Sequence, residues 1–230
     1  MEADFQNATL DEAIEMALFA ATIGKRHCIP GRVVSFDSDE QTIVAEPMIS
    51  GEDNDGNRVP LPPVADVPLF QLGGGEFIIT LNPKVGDPCL LLVADRAIDA
   101  WFETGENRVP ADFRQHDLSD CFALVGFRPK TMAIANWMSG VTIRKVDGTY
   151  FINIADNGNI TMKSPKVTVD APETVFTGNV TINKATTFKG NVDGSAVTAT
   201  FKDATIANIS YRGHKHKENG DGGGITDGPQ

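Results

Sequence analysis

The chain has 230 residues, with 20 basic side chains against 31 acidic ones and a formal net charge of −11. That length corresponds to one or two domains, and the negative balance argues against nucleic acid or anionic lipid as a partner held by electrostatic attraction. The three cysteines, Cys28, Cys89 and Cys121, have no regular spacing, so neither a disulfide framework nor a cysteine-based metal site is expected.

The chain opens Met1-Glu2-Ala3-Asp4, acidic where a signal peptide is basic. No apolar run approaches the roughly 18–20 residues that a transmembrane helix needs. From Thr9 to Gly24 the pattern predicts a helix. Thr9-x-x-Glu12 is a capping box, and Leu10, Ile14, Ala17, Leu18 and Ala21 fall on one stripe. Gly24 suits the C-terminal cap, and Lys25, Arg26 and His27 complement the negative end of the helix dipole. A helix this short is not stable alone, so its stripe requires a partner, either the next domain or an adjacent subunit.

Residues 28–130 are expected to form a small β-barrel of the OB type. Ile29–Phe36, Thr42–Met48, Val64–Leu69, Phe77–Leu81 and Pro88–Ala94 read as five short strands separated by turn signals. Cys89 precedes Leu90-Leu91-Leu92, which suggests a buried free thiol. Asp53-Asn54-Asp55-Gly56-Asn57 has the look of a calcium loop. The EF-hand spacing, however, places Gly51 at the first ligand position and Pro62 at the twelfth, so a solvated turn is expected.

Beyond Leu124 there is no leucine, and from about Met138 the composition changes to Thr, Val, Ile, Asn and Gly. Val141/Ile143, Ile152/Ile154, Ile160/Met162, Val167/Val169 and Val180/Ile182 are apolar pairs at the strand period. Asp147-Gly148, Asn157-Gly158, Ser164-Pro165 and Gly178-Asn179 punctuate them. Phe176-Thr177-Gly178-Asn179-Val180 recurs as Phe188-Lys189-Gly190-Asn191-Val192, and Thr187-Phe188-Lys189 recurs as Thr200-Phe201-Lys202. A period of about twelve to thirteen residues suggests a solenoid or an intertwined β-helix. Strands with so few apolar residues cannot build a core alone, and their edges would stay open. Three parallel chains around one axis solve both problems; an antiparallel sandwich in a monomer is the competing arrangement.

Asp95, Asp99, His116, Asp117 and Asp120 share the vocabulary of general acid–base catalysis. No Gly-x-Ser-x-Gly, His-Glu-x-x-His or phosphate loop accompanies them. Turn capping accounts for Asp117-Leu118-Ser119-Asp120 more simply, and Arg96 is expected to pair with one of the carboxylates. The expectation is therefore not an enzyme.

The run from Val85-Gly86-Asp87 through Asp95-Arg96 to Trp101, continued by Arg114-Gln115-His116-Asp117-Leu118-Ser119-Asp120-Cys121-Phe122-Ala123, resembles the N-terminal OB domain of baseplate central spike proteins of contractile-tailed phages. The segment from Gly213-His214-Lys215-His216 through Asn219-Gly220-Asp221-Gly222-Gly223-Gly224 looks like the tip of the same spikes. No lysozyme-like insertion of the kind some relatives carry is present, which counts against wall degradation.

His214 and His216, two residues apart, would share one face of a strand. Two imidazoles make an incomplete site, but three chains on an axis bring six, which suits an octahedral transition-metal ion: Fe, Ni, Cu or, less well, Zn. The resemblance implies iron, one ion per trimer. Lys215 would face outward, and Gly222-Gly223-Gly224 could turn back over a narrow apex or simply trail in solvent.

The expected organisation is thus mostly β. An N-terminal helical segment (1–27) and an OB-fold domain (28–130) precede an intertwined trimeric β-helix shaft (131–205) and a metal-binding tip (206–230). The function implied is a cell-puncturing spike at the distal end of a contractile phage tail. Its partners would be two further copies, the tail hub and baseplate, and the host outer membrane as a mechanical contact, with no nucleic acid. A trimeric receptor-binding tail fibre or adhesin is the alternative, disfavoured because no Phe, Trp or Tyr follows Tyr211.

Overall fold

The structure, a computed structural model, describes residues 9–23, 25–190, 205–206, 209–210, 215–216 and 225. Two compact units divide the chain, residues 1–167 and residues 168–230.

The first unit opens with α1 (Leu10–Ile23), started as its sequence dictates. The backbone N–H and hydroxyl of Thr9 both donate to Glu12 Oε2, at 2.8 and 2.9 Å, and the Glu12 N–H donates back to Thr9 Oγ1 at 3.3 Å. These bonds hold the Glu12 carboxyl below its usual range. The expected apolar stripe is present, but among the described residues nothing covers it: Leu10, Ile14 and Leu18 are all exposed.

The body of the unit is a curled five-stranded antiparallel half-barrel. β1 (Cys28–Asp37), β2 (Thr42–Pro47), β5 (Val64–Pro68), β8 (Pro88–Val93) and β9 (Cys121–Val125) lie in the order β5-β2-β1-β8-β9. Register irregularities between Val33 and Ser35 and between Ile43 and Ala45 sharpen the curl. At the rim Leu69 bridges Ala123, and the Phe70 N–H donates to the Ala123 carbonyl at 2.9 Å, so the two edge strands meet. The core is Ile29, Val33, Ile43, Ala45, Val67, Cys89, Leu91, Val93, Cys121 and Ala123. Gly31 is paired with Cys89, and a Cβ there would come within 2.9 Å of its Sγ, so the close approach of β1 to β8 requires glycine.

Four of the five expected strands are members of this sheet. The fifth is not. Phe77–Leu81 yields only β7 (Phe77–Ile79), which pairs with β6 (Leu72–Gly74) in a separate hairpin. The place in the sheet is taken by β9, whose run Cys121-Phe122-Ala123-Leu124-Val125 is the more continuously apolar of the two. A short hairpin of β3 (Gly51–Glu52) and β4 (Arg58–Val59) carries the calcium-like loop. There Asp53 Oδ1 accepts the N–H groups of Asp55 and Asn57, and Oδ2 accepts the Asn57 amide, the solvated turn that the spacing predicts. A single-turn helix, α2 (Asp99–Thr104), lies between β8 and β9.

After the half-barrel, β10 (Val141–Arg144), β11 (Phe151–Ile154) and β12 (Ile160–Lys163) form an antiparallel meander. Asp147-Gly148 and Asn157-Gly158 make its turns, with φ of +74° and +83° at the glycines. The first three apolar pairs are strands, as predicted. Among residues 164–190 no strand forms, although Val167/Val169 and Val180/Ile182 have the same spacing. A strand exists only through its ladder, and this segment has no partner strand among the described residues. In the second unit β13 (Thr205–Ile206) and β14 (Ile209–Ser210) pair antiparallel. No helix among the described residues is long and apolar enough to cross a membrane.

Candidate functional site

Register places Val141 opposite Ile154, Ile143 opposite Ile152, Ile152 opposite Met162 and Ile154 opposite Ile160. Opposed residues share a face, so six large apolar side chains occupy one side of the β10–β12 sheet. Every one is exposed, from 44 % at Ile152 to 67 % at Val141 and Ile160. The other side carries Thr142, Arg144, Phe151, Asn153, Thr161 and Lys163. It is covered along β10 and β11, where Thr142, Arg144 and Phe151 are half-buried, and open along β12, where Thr161 and Lys163 are exposed. Asn153 is buried, and its amide donates to the carbonyls of Ser139 and Val141 and to Thr142 Oγ1. Arg144 reaches the carbonyls of Ala135 and Asn136, and Lys163 lies over the Phe151 ring at 5.9 Å. Along β10 and β11 the usual order is inverted, with the polar side the more covered and the apolar side bare.

The carboxylates beside β9 are brought together, but around an arginine that the sequence reading did not single out. The Arg114 Nε donates to Asp120 Oδ2 at 3.0 Å, and its NH2 donates to Asp120 Oδ1 at 3.1 Å and to Asp99 Oδ2 at 2.6 Å. Asp120 is 1 % exposed and also accepts the Ile98 N–H at 3.1 Å. The hydrogen bonds it donates to these carboxylates, Asp120 first, raise the pKa of the guanidinium above its ordinary value. Asp117 accepts the Ser119 N–H at 2.9 Å and hydroxyl at 2.7 Å, the expected turn cap, which lowers its pKa. His116, in the left-handed region at φ +52°, lies 3.3 Å from Asp95 Oδ1 and edge-on to His27, ring centroids 4.8 Å apart. Arg96 pairs with Asp95, as expected, at a loose 3.6 Å. The segment is thus a strap, with Arg114 tying α2 and the 112–120 loop to the buried end of β9.

Of the two tip histidines, His216 is described and exposed; His214 lies outside the described residues. Among the described residues no group of three His, Cys, Asp or Glu side chains converges as a metal site.

Comparison with known proteins assigns both ends of this architecture. Residues 29–126 match the family described as the phage protein Gp138 N-terminal domain, and residues 208–230 match the GpV apex motif, together just over half of the chain. No curated protein matches it. Both family models describe parts of phage tail spike proteins. The two segments, in this order, are those of a baseplate central spike protein, which places it in the virion, at the tip of the tail.

Proposed function

We propose that the protein is a homotrimeric cell-puncturing spike at the distal end of a contractile tail, driven through the host outer membrane when the sheath contracts. The half-barrel, read as an OB fold, is the base that docks on the tail hub. The residues from Val141 onward wind with two further copies into the shaft, and His214 and His216 close its point.

The observation that carries this reading is the bare apolar side of the β10–β12 sheet. Fully burying such a side chain contributes about 1.5–3 kcal/mol. Six that are already partly covered would add on the order of 5–10 kcal/mol per chain. Summed over three chains that is about 15–30 kcal/mol, of the size needed to offset the roughly 8–30 kcal/mol cost of the two association steps that make a trimer. Placed around an axis, the six positions of each chain face their counterparts, and the open edges of β10 and β12 gain neighbours.

Two imidazoles per chain are a donor set suited to a transition-metal ion such as iron. Such an ion would act structurally, tying three chain ends that otherwise fray. The mechanical work comes from the sheath, so the chain supplies stiffness and kinetic stability rather than catalysis.

The test is the mass and metal content of the purified protein in solution. Three chains per particle with one iron ion per particle are expected, and His214→Ala or His216→Ala should remove the metal while leaving the half-barrel folded. A monomeric chain overturns the spike mechanism; a metal-free trimer overturns the tip assignment.

A further inference from the structure

Two unpartnered apolar surfaces lie outside the shaft. One is the stripe of α1. The other is a groove of about 140 Å³ beside the β6–β7 hairpin, lined by Phe70, Leu72, Ile79, Leu81, Pro83 and Val125. Leu72 and Leu81 are more than 60 % exposed, as are Leu10 and Leu18 of α1.

Their charges are complementary. From Leu10 to Ile23 the helix carries Asp11, Glu12 and Glu15 and no Lys or Arg. Lys84 directly follows the groove residue Pro83, and Arg128 and Lys130 follow Val125 within five residues. None of these three cations takes part in an ion pair among the described residues. In a chain of net charge −11, cations left unpaired beside an apolar groove suit an occupant that is both apolar on one side and acidic.

Within one chain the two surfaces sit at opposite ends of β8. The helix is tethered to Cys28, which pairs with Leu92, whereas the groove residue Val125 pairs with Cys89. We infer that α1 of one copy lies in the β6–β7 groove of the neighbouring copy. The contact is heterologous, joining two different patches, and such contacts close into a ring when the rotation allows. Every copy then gives one helix and receives one, and neither patch stays bare. This inference rests on the trimer reading and adds a second clasp, at the base of the spike and independent of the shaft.

The test uses full-length chains in a Cys28→Ser background, since the two remaining cysteines are buried. Chains carrying Leu18→Cys are co-assembled with chains carrying Leu72→Cys and treated with a short bis-maleimide. Covalent dimers that need both substitutions are expected. Lys84→Glu should lower their yield at least threefold at low salt, and Glu15→Lys in the same particles should restore it. Particles that remain trimeric by mass but give no dimer overturn the inference and assign the groove to another baseplate component. A link formed only within a doubly substituted chain also overturns it, in favour of the chain's own helix. A monomeric mass overturns the trimer reading itself, and mass is measured before any crosslinker is added.

Discussion

Arg114 holds Asp120 by two parallel hydrogen bonds, at 3.0 and 3.1 Å, where Asp120 has lost 99 % of its exposure to solvent. A buried carboxylate whose cation is removed stays charged without a counter-ion, or takes up a proton. Arg114→Ala should therefore destabilise the half-barrel by about 3–5 kcal/mol. Arg114→Lys should recover only part, because an ammonium cannot reproduce the fork. Arg108→Ala is the control: its pair with Glu106 is exposed on both sides, and its loss should change stability by less than about 1 kcal/mol. Denaturant unfolding of the three variants measures the ranking, and equal effects for Arg114 and Arg108 would refute the strap.

The half-barrel should weaken in alkali. Burial pushes the Cys89 thiol up to about 11, and burial, with Cys89 and Asp120 nearby, pushes Cys121 up to about 12. In the unfolded chain both ionise near pH 8.5. The folded state thus holds protons that the unfolded state releases. Stability is complete below about pH 8.5 and falls as pH rises toward 11–12, by roughly 2–4 kcal/mol at pH 10 for the two thiols together. The Cys89→Ala/Cys121→Ala variant should start less stable and lose much less between pH 8 and 10. A slope identical to that of the parent chain would show that the thiols are not its source.

Gly140 enters β10 with φ +78°, and a Cβ there would run into the Ile154 carbonyl oxygen. Neither the backbone of β11 nor the left-handed conformation can yield cheaply. Gly140→Ala should cost about 2 kcal/mol or more and should act on the β10–β12 meander alone. Hydrogen exchange would show faster exchange in β10 and β11 with unchanged protection of β1, β8 and β9. Uniform loss of protection would mean that the meander and the half-barrel unfold together.

The bare side of the meander gives the sharpest assembly variant. Ile152 sits on the middle strand with an apolar neighbour across each ladder, Ile143 and Met162. Ile152→Asp would bury an unpaired charge at any interface formed there. Sedimentation should show monomers, while the far-ultraviolet signal of the half-barrel persists. Retention of the trimer would locate the subunit contact elsewhere.

The parts legible in the sequence are those governed by local signals. Thr9-x-x-Glu12 fixes the start of α1, and Asp147-Gly148 and Asn157-Gly158 fix the turns of the meander. The alternation of Val141/Ile143, Ile152/Ile154 and Ile160/Met162 fixes which side is apolar. Other features depend on distant pairing. Phe77–Leu81 has the composition of a sheet strand, but Gly73-Gly74-Gly75 lets the chain turn back so that Leu72–Gly74 captures it first. Cys121–Val125 belongs beside β8, and its apolar run bounded by Asp120 and Gly126 was the available sign. The bridging role of Arg114 is hidden for a similar reason. A cluster of carboxylates is conspicuous in a sequence, while the cation that organises it is identified only once Asp99 and Asp120, twenty-one positions apart in the chain, meet at its two sides. Of the tip pair, the spacing of His214 and His216 was legible in the sequence; the ligand role proposed for them requires further copies of the chain.

The order of synthesis adds a consequence. All ten core residues of the half-barrel lie between Ile29 and Ala123, so this part can fold while the ribosome is still adding the remainder. The meander emerges next and exposes its greasy side to the cytosol before the apex has been translated. Nascent chains on one messenger would then be held close together at the moment the proposed trimer needs them, whereas a solitary one would become chaperone clientele. Virion assembly would thus begin on the polysome, and spike yield should track how densely that messenger is loaded.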